Sequence, residues 1–89
     1  MNKKMNKVKM DKKLKELVVK SSRNKISVGD ISDNSNLIYD FGFDSICMIK
    51  LITNIEEIFK ITFNDEELSR DVLAPYGILS YYVSMKLGL

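Results

Sequence analysis

The sequence predicts an all-α domain: a small four-helix bundle with a long loop between the first and second helices and a short third helix. Three observations favour this fold class. The 89 residues are enough for one small domain. Apolar residues recur at the three- and four-residue spacings of helices, and no stretch follows the two-residue period of a strand. The segments between them are rich in Ser, Asn, Asp and Gly, which end helices.

The chain is predicted to start with a basic, disordered leader, residues 1–9, which is rich in lysine and has little to bury. The folded domain then covers residues 10–89. Its first helix begins at Met10 and ends near residues 21–24, where helix formers give way to turn residues. One amphipathic stripe predicts this helix, formed by Met10, Leu14, Leu17 and Val18.

A long connection covers residues 23–44. Unstructured loops of this length are uncommon in so small a domain. The connection contains scattered apolar residues, namely Ile26, Val28, Ile31, Leu37, Ile38, Phe41 and Phe43. We expect these residues to pin the loop onto the helices, so that an ordered crossover places the Gly42 turn at a fixed position.

The second helix is predicted from Ser45 to about Phe59, with Asp44 as its N-cap. Its core stripe comprises Met48, Ile52, Ile55 and Phe59, widened by Leu51 and Ile58. A second apolar strip next to Ser45 points away from that stripe and comprises Ile46 and Ile49, beside Lys50 and Thr53. The isoleucines of this strip are either tolerated at the surface, in contact with the long loop, or part of a docking surface for partner proteins.

Two further helices complete the predicted bundle. Asn64 can cap a short acidic helix at residues 65–68, whose carboxylates suit a helix N-terminus. Pro75 fits the first turn of the last helix, which ends at Gly88. The predicted core side of that helix comprises Ile78, Leu79, Tyr82, Val83 and Leu87.

Charge and composition exclude several classes of function. Residues 1–25 hold ten Lys and Arg against two acids, a net charge of +8, whereas residues 26–89 hold four against ten, a net of −6. A nucleic-acid binder would therefore depend on the basic segment alone, and we expect no nucleic-acid partner. Without histidine, and with Cys47 as the single cysteine, the chain cannot assemble the common catalytic triads or a zinc site.

The sequence predicts a cytoplasmic protein. No run of eighteen apolar residues could span a membrane, and the start lacks the apolar core of a signal peptide. The lone Cys47 fits a reducing compartment and is expected to be semi-exposed and incidental.

The segment from Asp40 to Ile46, DFGFDSI, resembles the attachment motif of acyl and peptidyl carrier proteins. The resemblance extends from about Met10 to the end of the chain and implies a bundle of the acyl-carrier-protein type. It implies that Ser45 accepts 4'-phosphopantetheine from coenzyme A through a phosphopantetheinyl transferase. It also implies that Asp44 helps to contact the transferase and that Gly42 lets the turn close tightly.

The same resemblance implies that the protein is not an enzyme and binds no metal of its own. The thiol of the arm would carry acyl or aminoacyl groups as thioesters, and Ile46, Ile49, Lys50 and Thr53 would form the partner-binding surface. The expected partners are the transferase, an adenylation or other acyl-loading enzyme, and condensation or other tailoring enzymes. We expect a monomer without a membrane partner.

Two alternatives stay open at this point. Few acids lie along the second helix, and residues 69–75 resemble the turn into the last helix of peptidyl and D-alanyl carriers, which favours a free-standing peptidyl carrier of nonribosomal peptide biosynthesis. The first alternative is an acyl carrier for polyketide or specialised fatty-acid synthesis. The second, of another class, is a helical interaction module without a prosthetic group.

Overall fold

The computed structural model describes residues 5–89, apart from the side chain of Arg70. Over this range the chain forms helices joined by turns, with one isolated bridge and no β-strand. The helices are α1 (Lys7–Ser21), α2 (Leu37–Phe41), α3 (Ser45–Phe59), α4 (Arg70–Leu73) and α5 (Tyr76–Leu87). Two 3-10 turns lie at Val28–Asp30 and Asp65–Glu67. The all-α prediction is confirmed.

Helix α1 begins at Lys7, three residues before the predicted start. Its N-cap is Asn6, whose side-chain oxygen accepts a hydrogen bond from the Lys9 N–H at 2.9 Å. The end of the predicted leader is therefore helical, while its first four residues lie outside the described part of the chain. The predicted boundary between leader and domain stays a prediction.

The crossover between α1 and α3 is ordered, and most of its apolar residues reach the core. Ile31, Leu37, Phe41 and Phe43 are buried, whereas Val28 is exposed. The five-residue helix α2 within this segment was not predicted from the sequence. Short helices show too little periodicity for detection, and α2 is defined instead by its end residues.

The core lies between α1, α3 and α5, which carry most of the buried side chains. Four members of the predicted α3 stripe are buried, namely Met48, Leu51, Ile55 and Phe59. Ile58 and Ile78, predicted in the core, are exposed. Tyr76, which was not predicted, is fully buried, and its hydroxyl donates to Asp11 Oδ1 at 2.6 Å. This bond joins the start of α5 to α1.

Backbone hydrogen bonds join the crossover to the α4–α5 junction. The Leu37 N–H donates to the Ala74 carbonyl at 2.8 Å, and the Gly77 N–H donates to the Asp33 carbonyl at 3.1 Å. A Cβ at residue 77 would lie 2.9 Å from that carbonyl oxygen, which explains a glycine inside the first turn of α5. These bonds fix the start of α2 and, through α2, the turn that precedes α3.

The short helix predicted at residues 65–68 is observed as the 3-10 turn Asp65–Glu67, and the separate helix α4 follows in a segment that was expected to be the turn into the last helix. Asn64 is the N-cap of the 3-10 turn as predicted, since its side chain accepts from the Glu67 N–H while Glu67 accepts from the Asn64 N–H. Within residues 5–89, no helix combines the length and apolar character needed to cross a bilayer. The cytoplasmic location stays a prediction.

Candidate functional site at the turn before α3

Ser45 is the first residue of α3 and is exposed. The residue before it, Asp44, is the N-cap, and its side-chain oxygen Oδ1 accepts a hydrogen bond from the Cys47 N–H at 2.9 Å. The Asp44 carbonyl accepts from the Met48 N–H at 3.0 Å, which starts the helical ladder. A group attached to Ser45 would therefore lie at the positive end of a fifteen-residue helix.

The turn that presents Ser45 requires a glycine at position 42. Gly42 has φ 73° and ψ 25°, the left-handed conformation that ends α2, and its N–H donates to the Ile38 carbonyl. A Cβ at this position would lie 2.8 Å from the side-chain nitrogen of Asn24. That nitrogen donates to the Phe41 carbonyl at 3.0 Å. Both the backbone conformation and the close approach of Asn24 thus favour glycine, because a side chain here would be strained and would displace the Asn24 amide.

Two buried phenylalanines anchor the turn on the domain. Phe41 and Phe43 flank Gly42 and are 9% and 2% exposed. Because the chain is pinned on both sides of the glycine, the residues that follow emerge at a fixed point of the surface. The motif thereby combines buried apolar anchors with an exposed serine.

The other acid of the motif, Asp40, lies within α2 and stabilises its N-terminus, where Asn36 is the N-cap. One of its carboxylate oxygens accepts from the Asn36 N–H at 2.7 Å, and the Asn36 side chain accepts in return from the N–H groups of Ile38 and Tyr39. Together these hydrogen bonds fix the start of a helix of only five residues. Asp40 therefore shapes the turn from a position away from Ser45.

Arg23 provides a positive charge at the turn. Its Nη2 atom lies 2.7 Å from Asp44 Oδ2 in an ion pair whose side chains are 60% and 46% exposed. Hydrogen bonds from Cys47, foremost from its backbone N–H, together with the Arg23 charge hold the pKa of Asp44 below its ordinary value. Asp44 is thus anionic at neutral pH. Arg23 and Asn24 were not predicted as site residues, since only the tertiary fold brings them to residues about twenty positions away.

The predicted partner-binding residues all lie on the exposed side of α3. Ile46 and Ile49 are 60% and 65% exposed, and Lys50 and Thr53 are exposed beside them. Alongside this strip runs a cleft of about 260 Å³ between α3 and the segment that contains α4. The cleft is lined by Met48, Ile49, Ile52, Thr53, Glu56, Leu68, Ser69 and Leu73.

Cys47 is buried, with 2% of its surface exposed, so the prediction of a semi-exposed cysteine is wrong. Cys47 precedes Leu51 by four residues, and residues at this spacing share one face of a helix. Leu51 is fully buried, and Cys47 packs into the same core. Its side chain serves packing, which is a common use of a free cysteine.

Comparison with known proteins agrees with this geometry. A family model described as phosphopantetheine attachment site matches residues 12–72, more than half of the chain, and the match includes the whole turn and α3. No match to the chain was found among curated proteins. Carrier domains of this family hold a covalently attached 4'-phosphopantetheine, are not catalytic themselves and interact with phosphopantetheinyl transferases and acyl-loading enzymes. The chain belongs to the phosphopantetheine attachment site family of carrier domains.

Proposed function

We propose that the 4'-phosphopantetheine arm is attached to Ser45 and that the protein presents acyl or aminoacyl groups, held as thioesters on this arm, to partner enzymes. One observation carries the assignment of the residue: Ser45 is exposed at the first position of α3, directly behind a turn that is anchored by buried residues. The helix N-terminus favours a negatively charged phosphodiester there.

The attachment reaction uses the Ser45 hydroxyl as the nucleophile. Its oxygen forms a bond to the phosphorus of coenzyme A that bears the pantetheine, and the bond from that phosphorus to the 3',5'-ADP portion breaks. The serine proton leaves to a base. Since the sequence contains no histidine, we assign the base to the transferase. The carrier supplies the position of the hydroxyl, and Asp44 and Gly42 fix that position.

The proposal is tested by the intact mass of the protein before and after incubation with coenzyme A, magnesium and a broad-specificity phosphopantetheinyl transferase. We expect the wild type to gain one phosphopantetheine and Ser45→Ala to gain none. Ser69→Ala is the matched control, because Ser69 is also an exposed serine at a helix N-terminus, as the N-cap of α4, and this variant should gain the arm as the wild type does. A folded wild-type protein that gains nothing would overturn the proposal and favour the interaction module without a prosthetic group.

The strip formed by Ile46, Ile49, Lys50 and Thr53 is proposed as the docking surface for partner enzymes. It starts next to Ser45 and consists of exposed side chains with an apolar part, which suits a contact that forms and breaks during each loading cycle. Ile49→Ala should raise the KM of the transferase for the carrier. The control is Ile78→Ala, which removes an exposed isoleucine from α5. Equal KM values for the two variants would contradict this docking surface.

We assign the carrier to the peptidyl class, with a role in nonribosomal peptide biosynthesis. In α3 and its two flanking residues, three acids (Asp44, Glu56 and Glu57) are largely offset by Lys50 and Lys60, so the surface offers weak electrostatic steering to enzymes that recognise strongly acidic carriers. The acyl carrier of polyketide or specialised fatty-acid synthesis is the alternative.

The two classes differ in the enzyme that loads the arm. Holo-protein incubated with adenylation enzymes, ATP and amino acids should form an aminoacyl thioester, whereas a malonyl transferase of fatty-acid synthesis should load it poorly. Efficient malonyl loading without aminoacyl loading would favour the acyl carrier.

A further inference from the structure

Arg23 lies in the first residues after α1, yet its guanidinium reaches the turn before α3. Its Nη2 atom is 2.7 Å from Asp44 Oδ2, and Asp44 is the residue next to Ser45 in the chain. The other Asp44 oxygen is already bound to the Cys47 N–H. Arg23 is therefore bound to the Asp44 oxygen that does not cap α3, and both Arg23 and the neighbouring Ser45 are exposed.

The backbone around Arg23 is held in place by its two neighbours. The Ser22 hydroxyl donates to the Asn24 carbonyl at 2.8 Å, and the Asn24 N–H donates to the Ser22 oxygen at 3.1 Å. The Asn24 side chain donates in turn to the Phe41 carbonyl across the turn. Arg23 is therefore connected to the turn before α3 in two ways, through the hydrogen bond of its neighbour Asn24 to Phe41 and through its own ion pair with Asp44.

Attachment of the arm changes the charge balance at this point. A phosphodiester on Ser45 places a second negative charge beside the Asp44 carboxylate, whose pKa is already held low. Two neighbouring anions repel each other, and a cation bound to both offsets this repulsion. A guanidinium carries five donors in a planar fork and can serve a carboxylate and a phosphate together, which a single ammonium does less well.

We propose that Arg23 is the positioning residue for the phosphate of the arm, an inference that rests on the proposed function. In the unmodified protein its guanidinium binds Asp44. In the modified protein it binds both Asp44 and a phosphodiester oxygen on Ser45, so that the first atoms of the arm are held against the N-terminus of α3. The recognised chemistry is a phosphodiester monoanion on a serine.

A thermodynamic cycle between the Arg23 substitution and the modification tests this inference. The apo and holo forms of the wild type, Arg23→Gln and Lys25→Gln are prepared, with complete conversion verified by intact mass, and their melting temperatures are measured. Lys25→Gln is the matched control because Lys25 is also exposed and its replacement removes the same charge two residues away. Arg23→Lys, which keeps the charge but lacks the fork, is the second variant.

The inference predicts that Arg23→Gln lowers the melting temperature more in the holo form than in the apo form, by about 2 °C or more for a domain of this size. Lys25→Gln should lower the melting temperature equally in both forms. For Arg23→Lys, the difference between the holo and apo decreases should lie between those of the other two variants. The phosphodiester ³¹P resonance of holo Arg23→Gln should shift from its wild-type position, and that of holo Lys25→Gln should not.

Two results would overturn the inference. One is an Arg23→Gln cost that is equal in the apo and holo forms together with an unchanged ³¹P resonance. The other is an equal response of the two Gln variants, which would show a general effect of charge. Failure of the proposed function is distinguished from both, because then the wild type itself gains no mass and no holo form exists to compare.

Discussion

The two ends of α3 are built for different purposes. Both are bordered by a residue in the left-handed conformation, Gly42 with φ 73° before the helix and Lys60 with φ 59° directly after it. At the first end, a Cβ at residue 42 would lie 2.8 Å from the Asn24 amide nitrogen, which favours glycine. At the second end, Lys60 is exposed, and it adopts the left-handed conformation despite the steric energy that this conformation costs a residue with a Cβ.

The ion pairs near the two ends differ in how far their side chains are exposed to solvent. Arg23 and Asp44 meet at the surface with about half of each side chain exposed, whereas Lys86 and Glu67, which lie 2.8 Å apart, are only 18% and 17% exposed. Lys86 also lies over the Phe63 ring, and the Phe63 N–H donates to Glu56 of α3. The C-terminal end of α3 is thus packed for stability, while the N-terminal end keeps its polar groups accessible for chemistry.

The largest effect on stability is expected from Gly42→Ala. Alanine would have to adopt the left-handed backbone conformation, and its Cβ would clash with the Asn24 side chain. We therefore expect the free energy of unfolding to fall by about 2 kcal/mol. Urea denaturation measures this loss. Gly29→Ala is the control, because a Cβ at Gly29 meets nothing closer than 4.0 Å. An equally small change in both variants would contradict the role of Gly42 in the turn.

Lys60→Gly should change stability in the opposite direction. Glycine adopts the left-handed conformation without the steric cost that lysine bears, so we expect a gain of about 0.5 kcal/mol after the larger entropy of the unfolded glycine is subtracted. Lys60→Ala removes the same side chain but keeps the Cβ and should give no gain. A loss of stability in Lys60→Gly would show that the lysine side chain, rather than the backbone, determines this end of the helix.

A smaller effect is expected in the pH dependence of stability. The Lys86 hydrogen bond holds the pKa of Glu67 below its ordinary value, and the Cys47 N–H does the same for Asp44. Carboxylates of this kind stabilise the fold above their unfolded pKa, about 3.9 for Asp and 4.3 for Glu, and lose that contribution as the pH falls through the folded pKa. The wild type should therefore lose stability between pH 6 and pH 3.

Glu67→Gln and Asp44→Asn separate the contributions of the two ends. Each variant should lose less stability on acidification than the wild type, because the interaction that acid removes is already absent. The difference should be larger for Glu67→Gln, since its pair is less exposed and less screened by solvent and salt. Urea midpoints at the two pH values measure these slopes, and slopes equal to that of the wild type would contradict the assigned interactions.

The sequence predicted the regular part of the molecule better than its turns. Helix α3 was predicted with its observed bounds because both its cap, Asp44, and its apolar periodicity are local features. Helix α2 was missed, although Asn36 and Gly42 are the cap and terminator that could have indicated it. The burial of Cys47 follows from its position four residues before the core residue Leu51, a spacing that places both side chains on one face of the helix.

The candidate site shows the same division. The motif from Asp40 to Ile46 predicted which serine is presented and that the turn needs a glycine, because both depend on neighbours in the chain. The Arg23 ion pair and the Asn24 hydrogen bond join segments about twenty residues apart. No local sequence pattern predicts contacts of this kind. The charged and polar contacts around the turn could therefore be identified only from the folded structure.

The central claim is that Ser45 carries the arm, and peptide mapping of the modified protein tests it most directly. The protein is produced together with a phosphopantetheinyl transferase, digested and analysed by tandem mass spectrometry, with Ser45→Ala treated in parallel. The account predicts that the modification lies on the peptide that contains Ser45, with fragment ions that assign it to this residue, and that it is absent from the variant. An arm on another residue, or a folded wild-type protein without any arm, would contradict the account.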